Sequence, residues 1–77
     1  MKTQTTEATF NVVVEKDEDG YYVASVVELP GCHTQAKNLD QLNGRIKEAI
    51  EGYLRVSRPE QTPVFVGTQQ LKIRLPK

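Results

Sequence analysis

Seventy-seven residues, 38% hydrophobic and 26% charged, make one soluble globular domain and leave no room for a second. Ten basic and ten acidic side chains cancel, which argues against the cationic surface that non-specific nucleic-acid binding needs. No apolar run approaches the ~18 residues of a membrane span, and the polar N-terminus is unlike a secretory signal. One cysteine, Cys32, allows no internal disulfide; unpaired and without an export signal, it points to the cytoplasm. A chain this short buries only about 60–65% of the surface its unfolded form exposes, so self-association is the expected remedy. The charge is unevenly spread: residues 1–44 carry three basic and seven acidic groups, residues 45–77 seven basic and three acidic. That polarity could steer a charged partner or make two copies complementary.

Residues 1–7 are polar without periodicity and read as a frayed end. From Ala8 the pattern becomes that of a strand, with Phe10, Val12 and Val14 on one face and Asn11, Val13 and Glu15 on the other. Lys16-Asp17-Glu18-Asp19-Gly20 follows, and Asp-Gly is a strong turn signal because glycine accepts positive φ. A second strand spans residues 21–27, with Tyr22, Ala24 and Val26 on one face and Tyr21, Val23, Ser25 and Val27 on the other. The two strands form a hairpin. Pro30-Gly31 breaks the run, and residues 32–36 form a short third strand.

Asn38 is placed to cap a helix, with Gln41 three residues on as its reciprocal partner. Leu39, Leu42, Ile46, Ala49, Ile50, Tyr53 and Leu54 then form one continuous apolar stripe. Gly44 and Gly52 interrupt a sequence of good helix formers and are read as tolerated rather than required by a close backbone. Residues 57–70 form a polar connector with Pro59 and Pro63 and a brief apolar run of undecided state, Val64-Phe65-Val66. Leu71, Ile73 and Leu75 alternate with Lys72 and Arg74, the pattern of a half-buried last strand over residues 71–75.

The order β-β-β-α-β predicts an α+β fold: a mixed sheet in which the last strand lies parallel beside the first through a right-handed crossover. One helix covers one face of a sheet. Apolar residues occupy both faces of the hairpin, so Val13, Tyr21, Val23 and Val27 are the expected oligomer interface, in a dimer or a tetramer.

Three stretches taken together, Phe10-Asn11-Val12-Val13-Val14-Glu15, Asp17-Glu18-Asp19-Gly20-Tyr21-Tyr22-Val23-Ala24 and Glu28-Leu29-Pro30-Gly31-Cys32-His33-Thr34-Gln35, resemble the HicB-like antitoxin family. The likeness continues through Leu39-Asp40 and Ile46-Lys47-Glu48-Ala49-Ile50-Glu51, covering roughly residues 9–56. It implies a truncated ribonuclease-H-like fold and a non-catalytic protein that neutralises a small basic, RNA-cleaving HicA-like toxin by direct contact. The acidic hairpin tip, Asp17, Glu18 and Asp19, is the surface expected to meet such a toxin. Complete members, the resemblance implies, also carry a C-terminal DNA-binding segment. Here some 20 residues of loop and strand follow the helix, which argues against operator binding.

Catalysis finds little support. A ribonuclease-H-type reaction needs clustered carboxylates around two metal ions, with one acid in mid-strand, whereas the first strand's interior is Asn11-Val12-Val13-Val14. Cys32 and His33 are neighbours on a strand and point to opposite faces, a poor nucleophile–base pair. Cys32 reads as a small buried hydrophobe and His33 as a surface or interface residue; a zinc site would need further ligands. No catalytic, metal or cofactor residue is expected. An orphan self-associating domain, a nucleic-acid regulator using Arg45, Lys47, Arg55, Arg58, Lys72 and Arg74, and a relic nuclease are the alternatives.

Overall fold

The computed structural model describes residues 7–57 and 62–76. All but Glu7 of the frayed end, together with Pro59 and Arg58 of the connector, lie outside those residues. Three strands, β1 (Val12–Lys16), β2 (Tyr22–Val26) and β3 (His33–Ala36), precede one helix, α1 (Leu39–Val56). The strands form an antiparallel meander in the order β1-β2-β3. Val14 pairs with Ala24 and Ala24 with Thr34, so even-numbered residues of β1, β2 and β3 share the helix side of the sheet.

Two tight turns set that register. At the β1–β2 turn Gly20 takes φ 87°, and its N–H donates to the Asp17 carbonyl at 3.0 Å. Between β2 and β3, Cys32 N–H donates to Leu29 O at 2.9 Å around Pro30 and Gly31, with Gly31 at φ 86°. Proline second and a positive-φ glycine third are what a type II turn requires. The turn drives Leu29 into the core, where it is fully buried.

The helix begins where its sequence predicts: Asn38 Oδ1 accepts from Gln41 N–H at 2.8 Å, the N-cap half of the expected exchange, with no return bond from the Gln41 side chain among the described residues. Leu42 and Ile46 are buried, while Ala49, Ile50, Tyr53 and Leu54 flank them half-buried. Leu39, at the first turn, stays half exposed. The core joins Leu42 and Ile46 to Ala24, Val26, Leu29, Cys32 and Ala36. A Cβ on Gly44 would meet nothing within 4 Å, and on Gly52 only the Arg55 guanidinium at 4.0 Å, so both glycines are indeed tolerated rather than required.

The helix packs on β2 and β3 and does not touch β1. That placement corrects one expectation. Residues 71–75 form no strand; residues 62–76 run without helix or sheet pairing and are exposed throughout. Among the described residues the sheet is therefore wholly antiparallel rather than mixed, and the β-β-β-α order lacks its final β. Alternating apolar residues specify a face but not a neighbour, and a strand exists only where another backbone accepts and donates its hydrogen bonds. The arm projects instead: the radius of gyration is 15.9 Å, against about 11.5 Å for a compact chain of this length.

Candidate protein-binding surfaces

Asp17 begins the hairpin tip and is used by the turn itself. One carboxylate oxygen, Oδ1, accepts from Asp19 N–H at 3.0 Å and from Tyr21 N–H at 2.9 Å. Asp17 and Tyr21 also exchange a backbone bond, Asp17 N–H to Tyr21 O, at 2.9 Å. An aspartate can do this because its short side chain reaches backbone donors two residues on, as in an Asx turn. Glu18 and Asp19 are exposed at the apex. The tip thus divides into one acid that holds the loop and two that face solvent. The sequence pattern treated the three as equivalent; an Asp two residues before the Asp-Gly step was the available signal.

The face of the sheet opposite the helix holds the predicted interface residues. Val13 pairs with Ser25, Glu15 with Val23, Val23 with Gln35 and Ser25 with His33. Val13 is 40% exposed, while Tyr21, Val23 and Val27 are half-buried. Among the described residues no helix covers this face, and the apolar residues do share it. Glu15, Ser25, His33 and Gln35 are interleaved among them. A surface of this kind, apolar area broken by hydrogen-bonding groups, matches the composition of protein interfaces better than that of a core.

A contact between residues distant in sequence holds the start of the hairpin. Glu28 accepts from Asn11 N–H at 2.7 Å on Oε1 and from Asn11 Nδ2 at 2.6 Å on Oε2. These bonds to the Asn11 side chain and backbone hold the Glu28 carboxyl below the usual glutamate value. No sequence motif marks such a pair, 17 residues apart. At the other end of the sheet, Arg45 Nη1 donates to Gln35 O at 2.8 Å, covering part of the outer edge of β3. The Tyr53 hydroxyl reaches Pro30 O at 3.3 Å.

Cys32 lies in the core, where burial raises its thiol pKa, and His33 is exposed. The two point apart, as alternation along a strand requires. Among the described residues no three His, Cys, Asp or Glu side chains gather where a metal could sit. Among them, too, no helix is long and apolar enough to cross a membrane. A recess beside Val66, Gly67, Thr68 and Gln69 belongs to the extended arm and brings no side chains together from other elements.

The model of the HicB-like antitoxin of bacterial toxin-antitoxin systems matches residues 10–72. The chain belongs to the HicB-like antitoxin family. Curated relatives of this antitoxin-family chain are UPF0150 proteins. One from Archaeoglobus fulgidus is 55% identical over 65 residues, 84% of this chain and 94% of its own length. One from Synechocystis is 38% identical over 64 residues, 83% and 93% of the two chains. A third, from Thermoplasma acidophilum, is 51% identical over 45 residues, 58% and 65%. No solved structure matches the antitoxin-family chain.

Proposed function

We propose that this HicB-like chain is a non-catalytic protein-binding module that neutralises a small, basic, RNA-cleaving HicA-like toxin by direct contact. The observation that carries the reading is the family match across residues 10–72. The two solvent-facing acids at the hairpin tip, Glu18 and Asp19, are the groups we assign to the toxin's cationic surface, with Asp17 holding the loop that presents them. Such charges act chiefly on the association rate, because the interaction begins before contact and is screened by salt. Val13, Tyr21, Val23 and Val27 serve self-association on the open sheet face, which Tyr21 suits by combining apolar area with a polar hydroxyl. We read the meander and its helix as a truncated ribonuclease-H-like arrangement that retains architecture without the acid cluster, and the cytoplasm as its place of work.

The test is inhibition of RNA cleavage by the small basic protein encoded in the adjacent reading frame. Added chain should abolish cleavage, and Glu18→Lys with Asp19→Lys should slow association about tenfold or more at low salt, the difference shrinking as salt rises. Full cleavage in the presence of excess chain would refute the antitoxin reading. Normal association by the double variant would remove the tip from it.

A further inference from the structure

The three-stranded sheet has two edges, and they are treated differently. The β3 edge is short, lies under α1, and has the Gln35 carbonyl occupied by Arg45. Among the described residues nothing covers the β1 edge in this way. Val27 N–H donates to Asn11 O, and Asp17 N–H to Tyr21 O, so the odd-numbered residues of this strand turn their backbone groups toward β2. Antiparallel alternation then points the N–H and C=O groups of Val12, Val14 and Lys16 outward, away from the sheet. The side chains above that edge are also bare: Val12 and Val14 face the helix side, yet are 36% and 48% exposed because α1 does not reach them. An edge with free backbone groups and apolar side chains is a template for another strand.

The chain carries a strand of matching pattern. Leu71 and Ile73 are each 73% exposed and Leu75 80%, alternating with Lys72 and Arg74 on an arm that projects from the domain. We propose that residues 71–75 of one copy pair with the β1 edge of a second copy, and reciprocally, to form a strand-exchanged dimer. Leu71, Ile73 and Leu75 then cover Val12 and Val14 on the helix side. Lys72 and Arg74 fall on the opposite face, which at β1 carries Val13 and Glu15 next to the acidic tip. Apolar side meets apolar side and basic meets acidic, in either strand direction. The exchange supplies the fourth strand that the chain does not provide to its own sheet, and exchange of an identical element is a low-cost route to a symmetric dimer. The pairing does not rest on the antitoxin reading, and it adds its strand beside β1, leaving Val23 of β2 uncovered.

The decisive measurement is an isotope-filtered nuclear Overhauser experiment on the full chain. Labelled and unlabelled copies are mixed unfolded and refolded together, in a Val23→Asp background that removes association through the open face. The expected result is cross-chain signals from the Ile73 methyls to those of Val12 or Val14, in a particle of twice the 8.7 kDa chain mass by light scattering. Leu71 and Leu75 methyls should give cross-chain signals to the β1 valines as well, and Ile73→Pro should abolish these and halve the mass while circular dichroism stays native, because no residue of the arm belongs to the core. Signals found only within one chain would overturn the proposal in favour of an arm that folds back on itself. A monomer without any such signal would overturn it equally.

Discussion

Asp17→Ala should destabilise the domain by about 1–2 kcal/mol, although the side chain is exposed and lies in a loop. Its Oδ1 accepts two backbone N–H groups, at 3.0 and 2.9 Å. A hydrogen bond contributes a net ~0.5–1.5 kcal/mol, and solvent exposure places these two toward the lower end. Glu18→Ala and Asp19→Ala remove no such acceptor and should stay within about 0.5 kcal/mol of the wild type. Urea unfolding of the three variants, followed by circular dichroism, separates these cases. A thermal melt should show the Asp17 effect as roughly 4–8 °C per kcal/mol in a domain of this size. Asp17→Asn, which keeps a side-chain carbonyl in place of Oδ1, should recover most of the loss. Equal destabilisation by all three alanine variants, or none by Asp17→Ala, would refute the division of the tip into one structural and two interacting acids. The distinction matters for binding experiments: reversing all three acids together would weaken a toxin complex partly by loosening the loop.

Other consequences follow from single positions. Gly44→Ala should stabilise by about 1 kcal/mol in urea unfolding, because an added methyl meets open space in a helix interior. Gly31→Ala also meets nothing, yet should cost about 1–2 kcal/mol, since φ 86° is the left-handed region. Leu42→Ala should cost about 2–5 kcal/mol, a large part of the total stability of so small a core; retention of native stability would mean that the helix packs elsewhere. Glu28 has its pKa lowered by folding, so its carboxylate stabilises the fold at pH values above its unfolded pKa. That contribution should fade as pH falls from the ordinary value near 4.5 through the lowered one. Glu28→Gln should narrow the stability difference between pH 7 and acid, and an unchanged pH profile would contradict the Asn11 clamp. Cys32 should react slowly with thiol reagents at neutral pH in the folded state and rapidly in urea, because burial disfavours the thiolate.

Short-range order in this protein was legible residue by residue. The Asp19-Gly20 and Pro30-Gly31 steps mark turns because only glycine takes their positive φ without strain, and Asn38 with Gln41 marks the helix start because a side-chain oxygen there meets an orphan N–H. Period-2 and period-3.6 patterns likewise sorted Ala24, Val26, Leu42 and Ile46 onto the faces that meet in the core. Those signals lie within a few residues of one another, where chain geometry alone links sequence to conformation.

Tertiary structure decided which of the sorted faces actually meet. That α1 rests on β2 and β3 and leaves β1 bare, that Glu28 clamps Asn11, and that the alternating residues 71–75 find no place in their own sheet are all non-local outcomes. Alternation tells a segment which side to bury, but pairing depends on whether another backbone is within reach, and no local pattern encodes that distance.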